Sequence, residues 1–228
     1  MFTKMLAPFA VLLVLLAAAE ALAGSVSDAT NSPLISKRQA TPNSEGVHDG
    51  FFYSWWSDGE SPVNYTNLAG GSYRIEWQPG GNFYGGKGWN PGLPSRSIQF
   101  SGIYEPDGNS YLSVYGWMLD PRIEYYIVES YGTYDPKVAI QNLGMVTCDG
   151  SEYDIGIVVR IDQGIGPPLL QYWSIRKEKR SEGIVDTGCH FDAWRDAGLE
   201  LGTHHFQIVA TEGYISSGFA EVTVADVS

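Results

Sequence analysis

Positive charge is scarce in this chain, with 14 Lys+Arg against 26 Asp+Glu, a formal charge of −12 and a pI of about 4.6. Nucleic acid or an anionic bilayer would be repelled by such a surface, so neither is expected as a partner. Charge of both signs reaches only 18%, too little, amid so many apolar side chains, for a disordered chain. There is no internal repeat, linker or low-complexity tract, which excludes solenoid and tandem-module architectures. The four histidines, His48, His190, His204 and His205, lack a metal-ligand spacing with supporting acids or thiols, so no metal and no cofactor is expected. Cysteine occurs only at Cys148 and Cys189. What the chain has in excess is aromatic residues (7 Trp, 14 Tyr, 9 Phe) together with 27 Gly and 12 Pro. That mixture suits many short strands joined by tight turns, or a surface on which a flat ligand stacks.

The single long apolar run lies at the start. Lys4 precedes it, and Ala21-Leu22-Ala23 follows it as a small-residue cleavage pattern, so residues 1–23 read as a secretory signal. Residues 24–38 are polar and end in the dibasic pair Lys37-Arg38, the pattern of a propeptide. A single domain is expected over residues 39–228, located outside the cell. In an oxidising compartment two cysteines imply one disulfide, with two buried thiols as the alternative. Asn64-Tyr65-Thr66 is a glycosylation sequon.

Alternating apolar and polar residues predict strands over 73–77, 98–104, 111–117, 123–131 and 206–212. Turn signals stand at Pro79-Gly80-Gly81, Gly85-Gly86, Asn90-Pro91-Gly92, Pro106-Asp107-Gly108-Asn109 and Asp149-Gly150. Helical spacing occurs only over 190–197, where Phe191 and Trp194 are three apart and Gly198 supplies a stop. The charged run Lys177-Glu178-Lys179-Arg180 reads as a solvated face. The expected fold is all-β, a sandwich of two packed antiparallel sheets with one short helix.

Two strands carry a Glu on a face that is otherwise apolar or aromatic. Glu124 shares its face with Tyr126 and Val128, and Glu212 shares one with Phe206, Ile208, Ala210 and Tyr214. A carboxylate seldom occupies such a place without a partner or a task. Pairing with Arg160, or simple solvation of the face, is the plainer explanation.

The surrounding motifs choose between these. Pro121-Arg122-Ile123-Glu124-Tyr125-Tyr126-Ile127-Val128-Glu129 and Ile208-Val209-Ala210-Thr211-Glu212-Gly213-Tyr214 resemble the two signatures of glycoside hydrolase family 11, the endo-β-1,4-xylanases. The resemblance continues through Tyr53-Ser54-Trp55-Trp56-Ser57-Asp58-Gly59, Gly86-Lys87-Gly88-Trp89-Asn90-Pro91-Gly92, Val114-Tyr115-Gly116-Trp117 and Gln171-Tyr172-Trp173-Ser174. It implies a β-jelly roll with a cleft for xylan or arabinoxylan, and a retaining mechanism with Glu124 as nucleophile and Glu212 as acid/base. Two such groups are expected on neighbouring strands facing one cleft. The resemblance also implies substrate contacts from Trp56, Asn82, Tyr111, Tyr115, Tyr126, Arg160, Gln171 and Tyr214. Cys148 and Cys189 match a strand-to-helix disulfide of fungal members. A monomer is expected, with plant xylanase-inhibitor proteins as a further class of partner.

Some residues depart from the family. The thumb loop between Arg160 and Gln171 is short, over residues 164–170, and lacks a Pro-Ser-Ile tip. Arg122 stands where the family carries Leu or Gln. Asn82 occupies the place of an Asn or Asp beside the acid/base, and as Asn it implies a near-neutral pH optimum. The shortened thumb keeps a second reading open: a non-catalytic or weakly active relative that binds cell-wall glycan or a plant protein.

Overall fold

The computed structural model describes residues 40–161 and 168–228. The expected signal peptide, the propeptide and the core of the shortened thumb lie outside the described residues. Twelve strands and one α-helix are present among the described residues. In chain order the strands are β1 (Ser44–His48), β2 (Phe51–Ser57), β3 (Val63–Asn67), β4 (Ser72–Trp77), β5 (Asn82–Trp89) and β6 (Ser97–Leu119), followed by β7 (Ile123–Tyr131) and β8 (Gln141–Cys148). β9 (Ser151–Arg160), β10 (Leu169–Arg176) and β11 (Glu182–Asp186) precede the helix α1 (Thr187–Asp196), and β12 (Thr203–Asp226) closes the domain.

β6 and β12 span 23 and 24 residues and pair antiparallel along almost their whole length. Their first and second halves belong to different layers. In one layer, β12 from Gly218 to Thr223 pairs with β4, β4 pairs with β3, and β6 from Ser97 to Ser101 pairs with β11. In the other, β12 from Gln207 to Tyr214 lies between β5 and β6, and the order runs β1-β2-β5-β12-β6-β7-β10-β9-β8. This is the all-β jelly roll expected from the sequence, with two layers threaded by one shared ladder. All strand pairs are antiparallel except β7 with β10. Between those two the chain makes the β8–β9 hairpin, the long excursion that a parallel pair requires.

Two expected turns prove to be strand. Pro106-Asp107-Gly108-Asn109 lies inside β6, where the chain crosses from one layer to the other opposite a register shift between Tyr214 and Ser217 of β12. A bulge bends a paired strand without ending it, and Gly108 takes a φ of 104° there. Gly85-Gly86 lies inside β5 for a different reason. A Cβ on Gly86 would fall 2.0 Å from the Val209 carbonyl oxygen, and one on Gly85 would fall 2.7 Å from the Trp55 ring. These glycines permit close approach rather than a turn.

The core between the layers takes the inward residues of the alternating strands: Trp55, Tyr65, Tyr73, Ile75, Trp77 and Phe83, with Tyr125 and Ile127 from β7. The helix adds Phe191 and Trp194 to the same core. It begins three residues earlier than the helical spacing implies, because the Asp186 carboxylate accepts from the Gly188 backbone N–H at 3.0 Å and caps the first turn. Gly198 follows its end with a φ of 83°, as expected of a stop. The Cys148–Cys189 disulfide is formed and ties α1 to β8, the edge of the larger layer.

The basic run at 177–180 is not simply a solvated face. Arg180 donates from Nε to the Glu129 carboxylate at 2.5 Å, and Glu129 is 1% exposed on the core side of β7. Tyr153 donates to the other Glu129 oxygen at 2.8 Å. The charge pattern hid this, because the acid that needs Arg180 is 51 residues away in sequence.

Arg180→Ala is expected to cost about 3 kcal/mol in urea unfolding, since it strands a buried carboxylate. Lys177→Ala, at the exposed pair with Glu152, is expected to stay within about 0.5 kcal/mol. Removing the crosslink with Cys148→Ser/Cys189→Ser is expected to cost about 2–4 kcal/mol on the same measurement.

Candidate active site

The face of the larger layer turned away from the core carries a second aromatic cluster, containing Tyr111, Tyr115, Tyr126, Trp173 and Phe206. Strand alternation builds it. On β2, Trp55 faces the core at 2% exposure while Trp56, one residue on, is 39% exposed on the opposite side. Trp56 is registered with Tyr84 of β5, and the two rings stack at 6.2 Å. A cavity of about 380 Å³ opens over this face. It is lined by Trp56, Asn82, Tyr84, Tyr115, Trp117, Arg122, Glu124, Tyr126, Arg160 and Glu212.

Seven of the sequence-derived site residues therefore meet in one cavity, and both glutamates are among them. They are not on adjacent strands, however. Glu124 is on β7 and Glu212 on β12, with β6 between them. The expectation of neighbouring strands underestimated how far two Glu side chains reach across a shared face.

Glu124 is 5% exposed and fully engaged. Tyr115 and Tyr126 donate their hydroxyls to Oε1 at 2.7 and 3.1 Å. Gln171 Nε2 donates to Oε2 at 2.5 Å. Three donors converging on two oxygens suit a carboxylate that carries its charge. Burial raises both tyrosine hydroxyls well above their ordinary pKa, and the glutamate charges raise them further. They stay protonated and keep donating.

Glu212 meets the opposite environment. Burial raises its pKa, the Glu124 charge raises it further, and together they push it to about 8, against smaller opposing effects of the Tyr126 hydroxyl and Arg160. One carboxyl is held by donors and the other is held protonated near neutrality, a separation that marks acid/base chemistry.

The remaining residues fall into place around the pair. Asn82 lines the cavity, and its side-chain oxygen is buried without a partner among the described groups. Gln171, registered with Glu124 on the neighbouring strand, is absent from the cavity lining and donates to the Glu124 carboxylate. Tyr111 is 9% exposed, packed edge-on against Trp173 at 5.7 Å, and lies outside the cavity wall. The Glu212 charge nevertheless reaches its hydroxyl, raising its pKa after the larger effect of burial. Tyr214 is 52% exposed beside the layer-crossing bend and does not line the cavity. Tyr84, Trp117 and Trp173 were not named from sequence as site residues. The signal was there: each is two residues from a named one, namely Asn82, Tyr115 and Gln171, and so shares its face. Trp173 stacks under Tyr126 at 4.1 Å, and the Trp117 indole N–H donates to the Tyr115 hydroxyl at 2.8 Å.

Comparison with known proteins agrees with this arrangement. Residues 48–223 match the model of the family described as Glycosyl hydrolases family 11. An Endo-1,4-beta-xylanase of Thermomyces lanuginosus is 58% identical over 221 residues, 95% of this chain and 97% of the relative. Ethylene-inducing xylanase 5 of Verticillium dahliae is 56% identical, covering 95% of this chain and 97% of its own. Endo-1,4-beta-xylanase I of Cochliobolus carbonum is 52% identical, covering 92% and 96%. A family match over most of the domain, and relatives matched nearly end to end, place this chain in glycosyl hydrolases family 11.

Proposed function

We propose that the protein is a secreted endo-β-1,4-xylanase that cleaves internal bonds of xylan with retention. The observation that carries the reading is the unequal pair: Glu124 held by three donors, and Glu212 pushed up to about 8 beside it. In this reading Glu124 attacks the anomeric carbon while Glu212 gives its proton to the leaving glycosidic oxygen. The new ester carries no charge, so the repulsion that raised Glu212 falls away. Glu212 then accepts a proton from water as that water attacks the same carbon and frees Glu124. Tyr115, Tyr126 and Gln171 keep Glu124 aimed through the cycle. Trp56 offers an exposed ring for a sugar face to stack on, and Asn82 and Arg160 offer polar contacts.

The alternative of a non-catalytic relative rested on the thumb, which lies mostly outside the described residues. The relatives carrying xylanase names do not favour it. The reading includes a leader over residues 1–23, a propeptide to residue 38 and a chain that starts at Gln39. It is supported by Thr41, already bonded into the fold: its N–H donates to Val63 O at 3.2 Å, and its carbonyl accepts from Trp55 Nε1 at 2.9 Å. The cleft is built within one chain, so a monomer suffices. Plant inhibitor proteins belong to the same reading as partners.

Glu124→Gln is expected to lower kcat on arabinoxylan by at least about a thousandfold, with Glu212→Gln comparable on unactivated substrate. Reducing-sugar release checks both, and early products should retain the anomeric configuration by NMR. The wild-type kcat/KM should be greatest near neutral pH and fall as pH rises through about 8, where Glu212 loses its proton. A maximum below pH 4 would contradict the assignment.

Stability gives an independent check. A carboxyl whose folded pKa lies above its unfolded value binds more protons when folded, so its contribution is full below the unfolded pKa and is lost as pH rises through the folded one. Glu212→Gln is therefore expected to raise Tm relative to wild type, by more at pH 8 than at pH 5.

A further inference from the structure

The cleft also holds a cation that the two-glutamate chemistry does not use. Arg122, two residues before Glu124, is exposed and lines the same cavity. Its guanidinium carbon lies 4.7 Å from the centre of the Trp117 ring. That ring is itself fixed, since its N–H donates to Tyr115, which in turn donates to Glu124. The guanidinium therefore rests on a positioned aromatic plane, which leaves its N–H edge free for another group.

No acid among the described residues takes that edge. Arg74, Arg96, Arg180 and Arg195 each pair with a carboxylate, and Arg176 donates to Tyr153 and to the Glu178 carbonyl. Among the described residues, the arginines left without a hydrogen-bonded partner are Arg122 and Arg160, and both line this cavity. The oxygens of Glu124 are already occupied by three donors. Asp120, close in sequence, forms no ion pair with Arg122. In a chain with 26 acids and 14 bases, this cavity sets two guanidiniums against two carboxyls, Glu124 and Glu212, and Glu212 is pushed up to about 8 and keeps its proton near neutrality.

The Glu124 charge lies in the same cavity, but its oxygens are engaged by Tyr115, Tyr126 and Gln171. A neutral sugar chain would therefore leave the Arg122 N–H edge without an acid partner, whereas a carboxylate would meet it through two parallel hydrogen bonds. We propose that Arg122 forms a subsite for the carboxylate of a uronic acid carried as a branch on the xylan backbone, with the Arg160 charge reinforcing it. The proposal rests on the xylanase reading and names the substrate class within it. Arg122 is a specificity determinant here and takes no part in bond cleavage.

The test separates the two claims by measuring hydrolysis and binding apart. Initial rates are taken on linear xylohexaose and on a xylo-oligosaccharide of similar length bearing one 4-O-methylglucuronate, for wild type, Arg122→Leu and Arg122→Lys. The ratio of kcat/KM, acidic over neutral, should fall about fivefold in Arg122→Leu and recover in part in Arg122→Lys, the scale of one partly exposed charge-assisted contact. The wild-type preference should shrink toward the Arg122→Leu value in about 0.5 M NaCl, where charge is screened. Calorimetry with the same two ligands on Glu124→Gln, with and without Arg122→Leu, should give the same change in the ratio of Kd values. A ratio unmoved by Arg122→Leu, or an equal loss on both ligands, overturns the subsite. Absence of hydrolysis by wild type with the calorimetric preference intact overturns the xylanase reading and leaves the uronate subsite standing.

Discussion

The shared ladder of β6 and β12 is the constraint on which the rest of the structure depends. Two strands of more than twenty residues pair through both layers, so the layers are joined by backbone hydrogen bonds as well as by the packing of their inner faces. The bend near Gly108 and the register shift opposite it let each strand leave one layer and enter the other without breaking the ladder. The cleft face inherits its order from this. β12 carries Glu212, β6 carries Tyr115 and Trp117, and β7 follows with Glu124 and Tyr126. A slip of one residue in either register would turn one carboxyl into the core.

From that frame the site follows by electrostatics. Glu124 is buried and Glu212 partly buried among the same aromatic side chains, yet they are treated differently. Glu124 has three donors within hydrogen-bond reach. Glu212 has burial and a nearby like charge, which outweigh the Tyr126 hydroxyl and Arg160. The asymmetry is a property of neighbours rather than of the two residues, which are chemically identical. Stabilising the fold and operating the site pull apart here, because a carboxyl held protonated at neutral pH opposes folding as the pH rises.

The parts of the fold legible in sequence were those set by local periodicity. β4, β7 and the cleft-facing part of β12 appear as alternation. The helix was found by its Phe191–Trp194 spacing, but its start was missed, because the Asp186 cap acts through one side chain on a Thr-Gly-Cys turn with weak helical preference. Gly85-Gly86 and residues 106–109 were read as turns because Gly and Pro usually punctuate. Here one pair admits a neighbouring backbone and the other bends a strand held by its partner. Arg180 looked solvated for a related reason, since only folding brings it to Glu129.

By itself the sequence determined the family, the two carboxyls, the all-β class and the pair of cysteines, since these depend on residue identity, order and period. Tertiary structure decided what depends on distance between remote segments. It set β6 between the two glutamates, gave Gln171 to Glu124 rather than to open solvent, packed Tyr111 against Trp173 and left Tyr214 outside the cavity. It also left Arg122 resting on Trp117 without an acid partner. Side-chain alternation is written into each strand, whereas the neighbours that set a proton's affinity or leave a charge unpaired arrive only when the strands assemble.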